Sequence, residues 1–359
     1  MFQRPGLILF SLLAVLLSAP WPKSSVARQP GTNASPEGEP LNDTEILLLG
    51  THGGPYLDQV RAESSSLLIV DGRAYLIDCG IGAVRRLVRA GIRSETVGTM
   101  FITHLHPDHD LDLANVMAND LLNLGAPDAA EAFNIYGPPQ TGQLVTAAFA
   151  YIRIPFDVFA AERPGAAFLA RNPFVVHEIR RAGLVYADDK IRVFTAENSH
   201  YALMPAKFRA RMKSFSYRFE TPHGVVVFTG DTGTSGALTQ LVKGADVLVA
   251  GTLDLAAMTQ TLQQEARSNH WPSERLNAML AHMRVEILDR KEVGELASQA
   301  GVRAVVLNHL GPDDVQPEVF VSGVRKYFSG PVFVGGDLDR YCLTGMRGRQ
   351  PDRILQPCS

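Results

Sequence analysis

The sequence predicts an α/β protein with one large core between two packed sheets, and three observations carry this. A chain of 359 residues, 46% hydrophobic and 20% charged, can bury such a core without needing an oligomer to fold. Short apolar runs that read as buried strands alternate with stretches that read as helices, from Ile46–Thr51 onward. Several of those strands run straight into turns rich in His, Asp and Gly, after Ile102, Ala196, Phe228 and Leu307. The third observation shows where the chemistry lies.

The densest of these turns is Thr103–Asp110, Thr-His-Leu-His-Pro-Asp-His-Asp. Met100-Phe101-Ile102 reads as the end of a buried strand, so His104 and His106 project from it on one side. Pro107 stops the ladder, Asp108 and His109 follow on a turn, and Asp110 is placed to N-cap a helix over Leu111, Leu113 and Met117. Two side chains from a strand end and two from the next loop are enough for two separate ions: His104 and His106 for one, Asp108 and His109 for the other. The bland alternative is a polar loop that happens to be rich in histidine. The spacing matches the His-x-His-x-Asp-His motif of the metallo-β-lactamase superfamily, and the chain resembles that family from about Glu45 to Asp337. The resemblance implies a four-layer αββα sandwich of two mixed β-sheets, with a metal site at the sheet edges and further ligands on three later loops.

At the N-terminus, Arg4 precedes an apolar run, Leu7–Leu17, and Ser25-Val26-Ala27 offers a small-x-small cleavage site. Residues 1–27 therefore read as a secretory signal peptide and imply a periplasmic or secreted protein. The run is short for the ~20 residues of a membrane span, and no other segment reads as long and apolar enough. Residues 28–44, rich in Pro, Gly, Ser and Asn, read as a flexible leader, 45–340 as the catalytic domain and 341–359 as a tail. Removing residues 1–27 takes away Arg4 and Lys23 and no acid, so the formal charge of −3 becomes −5. That balance predicts no stable nucleic-acid complex; the family resemblance adds a small anionic substrate as the expected partner. A homo-oligomer stays open. Of three cysteines, Cys342 and Cys358 are close enough in sequence to pair in an oxidising compartment, while Cys79 reads as a buried small residue.

The remaining elements follow in order. Ile46–Thr51 is a buried strand that enters a Gly-rich turn at His52-Gly53-Gly54, resembling the family's opening turn; His52 is near the site but off ligand spacing. Leu67–Val70 and Ala74–Asp78 flank Asp71-Gly72, a strong hairpin signal. Asp78 corresponds to an aspartate that steadies the metal loop in this family. Ile81–Ala90 is a helix stopped by Gly91, Phe133–Tyr136 a strand, and Gln140–Tyr151 a helix. Ile154–Leu184, broken by Pro155, Pro164 and Pro173, reads as irregular and placed to act as a lid, with His177 in it as a structural residue. Ile191–Ala196 is a strand leading to His200, the third ligand of the first ion on the family pattern. Lys207, Arg209, Arg211 and Lys213 are basic at every second position, so an extended segment would show them on one face, either solvated or as an anion clamp. Phe215–Glu220 and Val225–Thr229 form a hairpin with His223 in its turn. Its end, Thr229-Gly230-Asp231, resembles the family's Thr-Gly-Asp motif and makes Asp231 a ligand able to bridge both ions. Val247–Ala250 is a buried strand and Leu253–Leu280 mostly helix. Asp289 with Glu292 is a capping box. Ala304–Leu307 leads to His309, the last ligand of the second ion, and Pro331–Val334 closes the second sheet.

The resemblance thus implies a site of His104, His106 and His200 on one ion, Asp108, His109 and His309 on the other, and Asp231 between. All donors are nitrogen or oxygen, which suits two divalent ions, Zn²⁺ first, with Mn²⁺ or iron permitted. Two such ions ~3.5–4 Å apart hold a bridging hydroxide, so the reaction class is hydrolysis, with Asp108 orienting the nucleophile. Ala281-His282-Met283 is similar to a segment of the ribonuclease Z and arylsulfatase-like branch, which implies that His282 protonates the leaving group or grips the phosphate; the alternative is a plain helix-end histidine. That branch has a supporting glutamate where Gly251-Thr252 stand here. The expectation is a two-metal hydrolase of phosphodiesters or aryl sulfate esters, the alternative a lactone or β-lactam hydrolase.

Overall fold

The structure is a computed structural model and describes residues 43–54, 57–92, 96–123, 132–162, 172–312, 315–344 and 355–358. The first sheet has eight strands in the order β15-β14-β1-β2-β3-β4-β5-β6. These are β1 (Asp43–Gly50), β2 (Ser65–Val70), β3 (Arg73–Ile77), β4 (Val97–Phe101), β5 (Asn134–Gly137), β6 (Val175–Glu178), β14 (Arg340–Thr344) and β15 (Gln356–Pro357). The second has seven in the order β13-β12-β11-β10-β9-β8-β7: β7 (Gly183–Ala187), β8 (Arg192–Glu197), β9 (Phe215–Thr221), β10 (Gly224–Phe228), β11 (Val247–Leu253), β12 (Ala304–Gly311) and β13 (Val332–Val334). Both sheets are mixed: β1, β2 and β3 are antiparallel neighbours while β3, β4, β5 and β6 run parallel, and β8, β9 and β10 are antiparallel while β10 to β13 run parallel.

Alternation along the strands explains the layers. Leu48, Leu68, Tyr75 and Phe101 of the first sheet meet Phe219, Phe228, Val249 and Val306 of the second in the central core. Their neighbours Leu47, Leu67, Leu76 and Met100 face outward against α1 (Ala83–Arg89), α3 (Leu113–Asn123) and α4 (Thr141–Ala161). Val227, Leu248 and Val305 do the same against α6 (Gly236–Val242), α9 (Arg290–Ala300) and α10 (Pro317–Arg325). The αββα sandwich is therefore as expected. Asp71 and Gly72 both take positive φ, 47° and 82°, which is what a tight two-residue hairpin turn demands. The capping box at Asp289 and Glu292 opens α9.

Several local expectations differ. Residues 1–42 lie outside the described residues, and with them the signal peptide and nearly all of the leader; β1 already begins at Asp43. The boundary between domain and tail at 340/341 falls inside β14, which pairs with β1 and buries Tyr341 and Leu343; Cys342 and Cys358 are joined by a disulfide. The helix expected to end at Tyr151 runs on through Pro155 to Ala161 as α4, and the rest of the expected irregular stretch contains β6 and the start of β7. Among the described residues α4 is also the one helix long and apolar enough, by length and composition, to cross a membrane, with a mean hydropathy of 1.5. Its Val145, Phe149 and Ile152 pack into the outer core of the first sheet, while Tyr151, Ile154 and Val158 face outward. His177 bonds Asn134 at 2.9 Å and stacks on Tyr136, a structural position.

Asp110 does not cap a helix. It closes the short α2 (Pro107–Asp110), where burial pushes its carboxyl up to about 7. Asp112 takes a capping role instead, accepting the amides of Gly82 and Val84 at the start of α1. Lys207–Lys213 is not extended: Ala206–Arg209 is the short helix α5. Phe208 and Met212, both half-buried, stand one helical turn apart with their backbones bonded at 2.8 Å, so the apolar spacing of four overrides the charge spacing of two. The helical stretch after β11 is two helices, α7 (Leu255–Ser268) and α8 (Ser273–Glu286).

Candidate metal centre

The loops after β4, β8 and β10 and the last residues of β12 meet at one edge of the sandwich and bring all seven expected ligands together. His104, His106 and His200 form one group, and Asp108, His109, Asp231 and His309 another; within each, the donor atoms lie within 4.8 Å of one another. In the first group the ring centroids are 4.5 to 4.8 Å apart, and His106 Nδ1 lies 3.1 Å from His200 Nε2. In the second, His309 Nε2 is 3.2 Å from both Asp108 Oδ2 and Asp231 Oδ2. Asp231 stands between the groups, with Oδ1 3.5 Å from His109 Nε2 and Oδ2 4.0 Å from His200 Nε2.

The surroundings aim these side chains. Asp78 accepts the Thr103 amide at 2.7 Å and the Thr103 hydroxyl at 2.8 Å, and it faces His109 Nδ1 at 2.9 Å. With Nδ1 so held, His109 turns Nε2 toward Asp231, which is how an outer carboxylate orients a metal-binding imidazole. His200 Nδ1 donates to the Glu286 carbonyl at 3.1 Å. The glycine turn after β1 has to be bare: a Cβ on Gly54 would lie 2.2 Å from the Asp108 Cβ. His52 stays outside the ligand groups, with Nδ1 3.4 Å from Arg61. Tyr201, which sequence reasoning did not single out, sets its ring against His104, His106 and His200, and burial pushes the pKa of its hydroxyl up, so it remains protonated.

The donors fit a pair of cations on two counts. His104 Nε2, His109 Nε2 and Asp231 Oδ1 are buried with no hydrogen-bond partner, and an unsatisfied buried polar atom costs ~1–3 kcal/mol. Burial pulls His104 well below the usual imidazole range and His200 down to about 4, so both are neutral with a lone pair to give. In the second group burial acts the same way on His109 and His309 but is outweighed by the carboxylates of Asp231 and Asp108, which raise both; this pocket calls for positive charge.

A sequence-family description, "Beta-lactamase superfamily domain", matches residues 73–314. The chain belongs to the metallo-β-lactamase superfamily. Within the superfamily it is similar to ribonuclease Z of Mycobacterium bovis (strain BCG / Pasteur 1173P2), 31% identical over 303 residues that cover 82% of this chain and 97% of that one. Two solved structures share the fold: the metallo-β-lactamase fold protein YhfI of Bacillus subtilis (TM-score 0.60, 16% identity, 84% of this chain and 99% of that one) and the short form of human tRNase Z (TM-score 0.57, 19% identity, 82% and 98%). This superfamily member is thus a metal-dependent hydrolase that resembles ribonuclease Z, and its fold implies divalent metal ions.

These relatives overturn the expectation of a small anionic substrate and no nucleic-acid complex, since both ribonuclease Z and tRNase Z are named for acting on RNA. The absence of a complex was expected from net charge, which sums the whole surface, whereas a nucleic acid meets a local patch. Lys207, Arg209 and Arg211, a few residues beyond His200 in sequence, are all exposed.

His282 lies inside α8 rather than ahead of a helix, half-buried, with its ring centroid 5.3 Å from that of His200. The glutamate that the resemblance places at Gly251-Thr252 would be crowded at Gly251. A Cβ on Gly251 would approach the Gly230 carbonyl to 2.9 Å, and the Thr252 hydroxyl is spent on the Leu288 carbonyl.

Proposed function

We propose that this protein is a zinc-dependent phosphodiesterase that cleaves RNA. One observation carries the reading: seven nitrogen and oxygen donors converge in two groups bridged by Asp231, in a chain 31% identical to ribonuclease Z over nearly that enzyme's whole length. An all nitrogen and oxygen donor set favours zinc. Bound divalent ions supply Lewis acidity and a water whose pKa is brought toward neutrality. The chain's own residues do the rest. Asp108 orients the attacking water through the carboxylate oxygen that does not face His309. As the new P–O bond forms and the bond to the leaving oxygen breaks, His282 Nε2 gives that oxygen its proton. The water-excluding floor of the site is Tyr201, packed on three of the ligand histidines. Sulfate esters and lactams draw no support from the named relatives.

The test is metal analysis of the purified protein, followed by bis-p-nitrophenyl phosphate, p-nitrophenyl sulfate, nitrocefin and a transfer RNA transcript extended at both ends. The expected result is turnover of the diester and cleavage of the RNA, abolished by a chelator and restored by zinc. Turnover of nitrocefin or the sulfate alone would replace the reading.

A further inference from the structure

Glu286, the last residue of α8, is 5% exposed and belongs to neither ligand group. A buried carboxylate needs partners to offset its lost hydration, and this one has them on both sides. Oε2 faces His282 Nδ1 at 2.5 Å, Oε1 accepts the Leu203 amide at 2.6 Å, and the residue's own carbonyl holds His200 Nδ1. One residue therefore touches the third ligand of the first group, the histidine beside it, and the loop that carries Lys207, Arg209 and Arg211. Both arginines of that loop are exposed.

We propose that Glu286 is a positioning residue that fixes His282 for proton transfer and anchors the start of the basic loop Tyr201–Lys213 to the same carboxylate. The inference rests on the phosphodiesterase reading above. The geometry supports it at each step. His282 and Glu286 are four apart on one helix and so lie on one face. With Nδ1 donating to the carboxylate, the ring cannot turn, and Nε2 is the nitrogen left for the leaving oxygen. Gly251 and Thr252 offer no rival carboxylate, as their packing shows. A capping role for α8 does not account for the contacts, because Glu286 stands at the C-terminal end of the helix, where a carboxylate gains nothing from the helix dipole.

The experiment compares Glu286→Gln, His282→Ala and the double variant on two substrates that differ in the leaving group. Bis-p-nitrophenyl phosphate releases an anion that needs no proton, whereas the RNA releases an alkoxide that does. Each single variant is expected to lower kcat on RNA about a hundredfold, within the range of general acid catalysis, with little loss on the p-nitrophenyl ester, and the double variant to lose no more than either. Zinc content should stay that of the unaltered protein. Equal losses on both substrates, or none on RNA, would overturn the proposal. A readout independent of turnover is the proton NMR of the zinc-loaded protein: one downfield imidazole N–H resonance should vanish in both single variants. Its absence from the unaltered protein overturns the proposal. If that resonance is present but neither substrate is turned over, the phosphodiesterase reading fails and the pairing stands.

Discussion

At the scale of single residues, His104, His106, Asp108 and His109 were legible from their spacing after a buried strand. His200, Asp231 and His309 were legible only through the resemblance to the metallo-β-lactamase superfamily, because a single polar residue after a strand carries no such signal by itself. Glu286 was not legible, because its bond to Leu203 spans 83 residues of sequence and its pairing with His282 needs the knowledge that one helix contains both. Tyr201 escaped for a related reason: only the folded site shows an aromatic ring lying on three imidazoles. Asp78 gives the sharpest prediction at this scale. Its carboxylate serves Thr103 and His109 together, so Asp78→Asn leaves every ligand in place but loosens the ring that aims Nε2. Outer-sphere changes of this kind cost about 10–100-fold in metal affinity. A zinc competition titration should show that loss, and an unchanged affinity would mean the ligands aim themselves.

At the scale of elements, periodicity located most strands and missed where helices stop. Pro155 is exposed, and so is Tyr151, whose carbonyl loses its intrahelical partner; water can take that bond, and α4 continues. In Lys207–Lys213 the charge pattern and the apolar pattern had different periods, and burial of Phe208 and Met212 decided between them. The two hairpin turns carry a contact that neither pattern foretold. His223, between β9 and β10, donates from Nε2 to Asp71, between β2 and β3, at 2.8 Å, joining the two sheets. That hydrogen bond, with a smaller share from Lys190, lowers the Asp71 pKa. A carboxylate depressed in the folded state adds stability above its unfolded value, near 3.9, and that stability fades as pH falls through the folded value. His223→Ala should therefore destabilise the protein at neutral pH by a modest amount, less than about 1 kcal/mol for a partly exposed pair, read as a lower Tm. The gap between variant and parent should close in thermal melts below about pH 4. A gap that is constant across this range would assign the effect to packing instead.

At the scale of the whole molecule, the ligand groups sit where the two sheets meet, beside backbone bonds such as that from the Phe215 amide to the Thr103 carbonyl at 2.9 Å. The loop after β4 belongs to the first sheet and supplies His104, His106, Asp108 and His109; the loops after β8 and β10 and the end of β12 belong to the second and supply His200, Asp231 and His309. Each group draws from both sheets, so a cation in either place is a cross-link between the halves of the sandwich. Elsewhere the halves are held by the central core, through contacts such as Phe101 on Phe219 with centroids 5.3 Å apart, and by polar links such as His223 to Asp71. Removing the ions leaves two buried carboxylates facing imidazoles, with His104 Nε2, His109 Nε2 and Asp231 Oδ1 unpartnered. The consequence is a linkage between metal and fold. A ligand that binds only the native state stabilises it by about 2.7 kcal/mol at a hundredfold excess over its Kd, and two such ions act together. Dialysis against a chelator should thus lower Tm by several degrees and raise hydrogen exchange first in the loop after β4 and the end of β12, with zinc restoring both. If the melt is unmoved by chelation while metal analysis shows the ions gone, the cross-link carries no stability and the sandwich is held without it.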